Sequence, residues 1–312
     1  MKIFFATDIH GSEVCWRKFL NSAAFYKADL VVLGGDVTGK AMVPIVAHPG
    51  YWQVTVRGET HRLESKEALD AIMTRIRNSG FYPAIVSPEE LQHLGENEGA
   101  VDQRFEKEMI SSLDRWLDMA DGKLRGGQIP CILNGGNDDI FEIDAVIESS
   151  PCVSFAEGKL MDLGGFSLVS MGWTNPTPWN TYREAPEEEL APKIEALAAL
   201  VPDMGRAIFN FHAPPYGTGL DDAPALDENL RPTHGGAAMK AVGSKAVRDA
   251  ILKHQPMLSV HGHIHESRAI KRLGRTLAIN PGSVYGDGVL QGAVLELDPK
   301  KAKVSRYLLV NG

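Results

Sequence analysis

The chain has little cysteine, no long apolar run and no block of like charge. Its 3 cysteines, Cys15, Cys131 and Cys152, are an odd set without a CxxC pair. That excludes a disulfide framework and a zinc knuckle, and points to a reducing, cytoplasmic setting. No segment approaches the roughly 20 apolar residues of a membrane span, and the apolar stretch Met1 to Thr7 is too brief for a secretory leader. A soluble protein with no membrane attachment is therefore expected. Lys and Arg number 32 against 40 Asp and Glu, with no basic run long enough to track many phosphates, so long nucleic acid is a poor partner. A small phosphate ester is not excluded, because bound divalent cations reverse the local charge of an acidic cleft.

What is present is an alternation of short apolar runs with helical spacing. Lys2 to Thr7 and Leu30 to Leu33 read as strands covered on both faces, with a helix between them carrying Trp16, Phe19, Leu20 and Ala24. A helix from about Phe105 to Ala120 places Phe105, Met109, Leu113, Trp116 and Leu117 on one face, and a strand follows at Ile129 to Leu133. Strands are predicted at Phe166 to Met171, Ala207 to Phe211 and Met257 to Val260, and helices at Pro186 to Leu200 and Ser244 to His254. Beyond His265 the pattern turns to β: Arg268 to Arg272 and Thr276 to Ile279 around Gly274, then Ala293 to Leu297 and Val304 to Val310. The 312 residues suit a single α/β domain with one decoration. That decoration is expected at about 39–103, with a hairpin (Tyr51 to Val56, His61 to Leu63) and a helix near Lys66 to Arg77, forming a cap over the cleft. Ala213 to Gly236 lacks periodicity and reads as a long loop.

Five polar clusters end apolar runs: Asp8-Ile9-His10, Gly35-Asp36, Gly136-Asn137-Asp138, Phe211-His212 and Gly262-His263-Ile264-His265. In open α/β sheets ligands bind beyond the carboxyl ends of the strands, so clusters at equivalent ends converge in space. The pairs Asp8/His10 and His263/His265 are two residues apart, a spacing that puts both side chains on one side if the backbone is extended. Carboxylate, amide and imidazole ligands together suit manganese, iron or zinc better than calcium. Two such ions roughly 4 Å apart would share an activated hydroxide and neutralise a phosphoryl group. Asp36 is the candidate bridging carboxylate.

These motifs, in this order, resemble the calcineurin-like metallophosphoesterases, whose pattern is DxH, GD, GN[HD], an isolated H and GHxH. The resemblance runs on to Asn280-Pro281-Gly282-Ser283 and covers most of the chain outside 39–103. It implies a four-layer α/β/β/α sandwich with two mixed sheets and two divalent metal ions. Asp8, His10 and His265 would bind one ion, Asn137, His212 and His263 the other, with Asp36 bridging and Asn137 also touching substrate. Position 138 departs from the many members that carry a histidine there as a proton donor; members without it often favour phosphodiesters. The catalytic candidates are Asp36, Asn137 and Asp138. A phosphodiesterase for small diesters is the leading expectation, with a phosphomonoesterase or phosphoprotein phosphatase and a non-catalytic metal-binding scaffold as alternatives.

Other residues have plainer readings. His261 lies deeper in its strand and reads as a packed core histidine; His234 reads as an exposed loop histidine that could reach the cleft and replace the missing proton donor, and His48 and His61 are weaker functional candidates than His234. Trp173-Thr174-Asn175-Pro176 could form pocket wall or a turn over a buried Trp. Tyr216 and the Asp221-Asp222 pair read as solvated loop residues.

Overall fold

The computed structural model describes residues 1–124 and 128–312. Among the described residues the chain forms seven α-helices and a set of sheets, three of them mixed in strand direction. One six-stranded sheet runs in the order Lys303–Asn311, Gln291–Asp298, Lys2–Ala6, Leu30–Leu33, Cys131–Leu133, Val153–Phe155. Its last four strands are parallel and its first two antiparallel. The second six-stranded sheet runs Ala269–Leu273, Thr276–Asn280, Leu258–Val260, Ala207–Phe211, Ser167–Met171, Leu160–Asp162, with parallel strands in the middle and an antiparallel strand at each edge.

Strand alternation sorts the side chains into packed clusters. Ile3, Phe5, Leu30, Val32 and Ile132 of the first sheet meet Phe166, Leu168, Ile208, Leu258, Val260, Leu277 and Ile279 of the second. The neighbours Phe4, Ala6, Val31, Leu33, Cys131 and Leu133 face the other way, onto helices Glu13–Tyr26, Glu98–Leu124 and Glu142–Glu148. There Trp16 stacks on Trp116 at 5.2 Å and donates its indole N–H to the Trp116 carbonyl at 3.1 Å. On the second sheet Val169, Met171, Phe209 and Phe211 pack with Leu190, Ile194, Val247 and Ile251 of helices Glu187–Ala199 and Lys245–His254. Each large side chain so buried contributes about 1.5–3 kcal/mol.

The structure departs from the sequence expectation mainly at 39–103. The expected hairpin and helix are there, at Tyr51–Val56, Glu59–Leu63 and Lys66–Asn78, and the hairpin turn Arg57-Gly58 has both φ angles positive (53° and 81°), the hallmark of a tight type I′ connection. Two further strands, Ala41–His48 and Phe81–Val86, complete a four-stranded sheet, and Pro88–Glu96 adds a helix. Pro44 and Pro83 masked those strands; a strand interior disfavours proline because it lacks a ladder donor. This sheet has its own core of Ile45, Val54, Leu63, Leu69, Ile72 and Ile76. The helix expected to start near Phe105 begins at Glu98, and within the expected loop 213–236 a strand Asp222–Pro224 pairs with Met239–Ala241. Three-residue strands are too short for periodicity to register. Among the described residues no helix is long and apolar enough to cross a membrane.

Candidate metal centre

All five clusters lie just past the carboxyl ends of parallel strands: Lys2–Ala6, Leu30–Leu33, Cys131–Leu133, Ala207–Phe211 and Leu258–Val260. Beyond these ends the loops continue the ladder. Asp8 N–H donates to the Gly35 carbonyl at 3.0 Å, His10 N–H to Asp36 at 3.0 Å and Gly262 N–H to His212 at 3.0 Å. Asp8, His10, Asp36 and His263 have φ of 53°, 38°, 49° and 67°, all in the left-handed region that costs a residue with a side chain energy. The extended backbone anticipated for Asp8/His10 and His263/His265 is therefore not what aims these ligands. A sharp left-handed reversal at the strand end does so, and the cross-loop hydrogen bonds hold it.

Among the described residues the side chains form three overlapping groups whose ligand atoms lie within 4.8 Å of one another: Asp8, His10 and His265; Asp36, His212 and His263; and, sharing His10 and Asp36 with these, His10, Asp36 and Asp138. Asp36 Oδ2 stands 3.5 Å from His10 Nε2 and 3.3 Å from His212 Nε2, so one carboxylate faces the first two groups. His265 Nε2 lies 3.0 Å from His10 Nε2 and 3.4 Å from Asp8 Oδ1. His212 Nδ1 is 3.1 Å from the Gly34 carbonyl. A ring nitrogen there must donate, which leaves Nε2 as the nitrogen that faces the cage.

Asn137 is held by two side-chain acceptors. Its Nδ2 donates to Thr181 Oγ1 at 2.8 Å and to Asp138 Oδ1 at 3.2 Å, while its Oδ1 is buried and receives no donor among the described residues. A buried amide oxygen without a partner is costly in a folded protein, and a cation satisfies it. Close approach also requires the motif glycines. A side chain at Gly136 would collide with the Asp36 carboxylate, and one at Gly262 with Thr7 and Asp8. On these grounds the residues present fit bound divalent metal.

Electrostatics agree with that fit. Burial is the largest influence and opposes ionisation of Asp8 and Asp36, yet His212 together with His265 brings Asp8 down to about 2, and His212 together with His10 and Lys40 brings Asp36 well below its ordinary value. Burial likewise disfavours a charged His212, but Asp36 and Asp8 push it up to about 10. Burial lowers His10 to about 3 and His263 to about 4. Without metal, a proton on His212 thus balances the buried carboxylates, and a bound cation would take over that task.

Asp138 lies beside this cage, with its backbone N–H donating to Asp36 Oδ1 at 3.0 Å and its carboxylate 2.5 Å from Lys40 Nζ. Burial and Asp36 push its carboxyl up to about 6, against the pull of Lys40. His261 is buried outside the cage, hydrogen-bonded to Ser259 at 2.8 Å and facing the carbonyls of Phe211 and Ala213. His234 is exposed, and His48 stacks on Tyr51 within the inserted sheet. Asp221 is not solvated: it is buried and accepts the N–H groups of Gly217, Thr218 and Gly243.

Three contributors were not singled out in the sequence. Asp139 is fully buried and accepts from Gly136 N, Val37 N, Thr38 N and Thr38 Oγ1, tying the Asp36 loop to the Asn137 loop. Arg183, 1% exposed, pairs with Asp144 at 2.6 Å and donates to the carbonyls of Asp139 and Ile140. Tyr285 places its ring 4.7 Å from that of His10. The second Asp of Asn137-Asp138-Asp139 is the one signal the sequence offered; Arg183 and Tyr285 lack any local mark.

No protein-family model matches the chain. Its fold recurs in solved structures. One aligns at a TM-score of 0.57 with 16% identity, covering 99% of this chain and 98% of the other. The protein TT1561 of Thermus thermophilus aligns at 0.52 with 14% identity, covering 100% and 97%. At such identities the likeness is one of fold. The uncharacterized protein MJ1162 of Methanocaldococcus jannaschii is 34% identical over 125 residues, 39% of this chain. The chain spans about half the length of that curated relative, 51%. Residues from four of the five sequence motifs, Asp8, His10, Asp36, His212, His263 and His265, meet in one cage.

Proposed function

We propose that the protein is a metal-dependent phosphoesterase of the calcineurin-like type, built as a four-layer α/β/β/α sandwich in which 39–103 forms a cap. The observation that carries this reading is the cage itself, with Asp36 facing both His10 and His212 and the buried Asn137 Oδ1 lacking a donor among the described residues. Asp8, His10 and His265 would hold one divalent cation, Asn137, His212 and His263 a second, and Asp36 would bridge them. Manganese, iron or zinc suits this mixed donor set. When bound, such a pair supplies an activated water and neutralises charge on phosphorus.

The chain's own groups do the rest. Asp36 and Asp8 keep their charge in a buried setting, ready to orient cations rather than accept protons. His212 is oriented by the Gly34 carbonyl. Lys40, ion-paired with Asp138 at the rim, adds a cation beside an incoming phosphate. At about pH 7.5, a carboxyl near 6 is mostly ionised, so Asp138 is a poor proton donor. That supports a preference for small phosphodiesters with a leaving group that needs little protonation. The inserted sheet packs at its base against the metal loops, with Tyr82 accepting Gly39 N–H at 2.6 Å and Ser12 donating to the Asn78 carbonyl at 2.9 Å, which supports its role as the cap.

The test is metal analysis of the purified protein together with turnover of a mono- and a bis-aryl phosphate. Two equivalents of transition metal and faster diester cleavage are expected. The Asp36→Asn variant should lose cation stoichiometry and about 100-fold or more in turnover. Unchanged metal content and rate in that variant would overturn the mechanism.

A further inference from the structure

An asparagine can serve as a ligand only with its oxygen turned inward, and nothing in the amide itself prefers that orientation. The Asp138 carboxylate, accepting from Asn137 Nδ2 at 3.2 Å, supplies part of the preference, and the turn that follows the strand Ser167–Met171 supplies the shorter contact. Thr181 Oγ1 accepts from Asn137 Nδ2 at 2.8 Å and donates to Glu184 Oε1 at 2.5 Å. A hydroxyl has one proton. With that proton committed to the carboxylate, only lone pairs remain for Asn137, and they demand the NH2 end of the amide. Glu184 in turn accepts from Thr177 Oγ1 at 2.6 Å, Thr177 N at 2.8 Å and Thr181 N at 3.0 Å, so the carboxylate is anchored by donors on every side.

The turn is itself registered on the Asn137 loop. Arg183 N–H donates to the Asn137 carbonyl at 3.2 Å, and Thr174 pairs with Arg183 and Ala185 through backbone bonds of 2.9 Å each. The Arg183 guanidinium reaches under the same loop to Asp139, Ile140 and Asp144. Hydrogen-bond polarity therefore runs in one direction, from the Glu184 carboxylate through the Thr181 hydroxyl to the Asn137 amide, and ends at a buried Oδ1 that receives no donor among the described residues.

We propose that Thr181 and Glu184 are positioning residues that lock the Asn137 oxygen toward the cation held by Asn137, His212 and His263. The inference rests on the function proposed above and assigns one of its two sites a dedicated support. Ligand-orienting partners of this kind are typically worth about 10- to 100-fold in metal affinity.

Calorimetric titration of the chelator-stripped full chain with Zn²⁺ tests it without reference to turnover. Wild type should bind two equivalents. Thr181→Val, which keeps the shape and loses both hydrogen bonds, should leave one site unchanged and weaken the other by about 10- to 100-fold, and Thr181→Ser should restore it. Because Thr181 acts through Asn137, adding Thr181→Val to Asn137→Ala should weaken binding no further. Should Thr181→Val misfold, Glu184→Gln, which can present an amide donor to Thr181, serves in its place and should weaken the same site. Wild-type affinity at both sites in the Thr181→Val or Glu184→Gln variant, or an additive double variant, would overturn the assignment. A wild-type chain that binds no cation at all would instead defeat the proposed function.

Discussion

Glu157 offers a test of the interior behind the Asn137 turn that does not depend on bound metal. Its Oε2 accepts the Gly172 N–H at 2.7 Å, and Gly172 packs against the Gly135 carbonyl at the start of that turn. Burial pushes the carboxyl from 4.5 to about 7, only partly offset by the Arg183 charge. The native state therefore holds a proton that the unfolded chain has lost between these values, and stability falls as pH rises through that window and levels off above it. A displacement of that size corresponds to about 3 kcal/mol. Partial solvent contact of the side chain trims this to about 2 kcal/mol. Glu157→Gln removes the titration and keeps the acceptor. Urea unfolding of metal-stripped wild type and variant from about pH 5 to pH 8 should show the variant gaining about 2 kcal/mol relative to wild type across the range. A difference between the two that stays constant with pH would refute the argument.

The remaining predictions concern the cage and its supports. Arg183→Leu leaves Asp144 without its partner and the carbonyls of Asp139 and Ile140 without donors, so it should cost about 3–5 kcal/mol in denaturant unfolding and weaken cation binding. Gly136→Ala places a methyl against the Asp36 carboxylate and should reduce bound metal, read by elemental analysis, in protein that still folds. Free Mn²⁺ at about 100 times its dissociation constant should stabilise the stripped protein by about 2.7 kcal/mol per occupied site, seen as a rise in Tm that chelator reverses.

Much of the fold was legible because its strands are buried on both faces and read as unbroken apolar runs, as at Leu30–Leu33 and Ala207–Phe211. The same runs placed the polar clusters at strand ends. What escaped were elements with weak local marks: the proline-bearing strands of the inserted sheet, the three-residue edge strands, and the early start of helix Glu98–Leu124. The way the ligands are aimed also escaped. The i, i+2 spacing of Asp8 and His10 is compatible with an extended segment, and only the hydrogen bonds from a neighbouring loop hold both residues at positive φ instead.

The order and chemical identity of the ligands are properties of the chain read alone, since each motif sits beside the apolar run that becomes its strand. Which nitrogen of His212 faces inward, which end of the Asn137 amide is presented and how Asp138 is neutralised were decided by Gly34, Thr181 and Lys40. Hydrogen-bond direction depends on partners brought in from distant positions, 178 residues away for Gly34 and His212. No local pattern encodes such a meeting, because it exists only once the two sheets have packed.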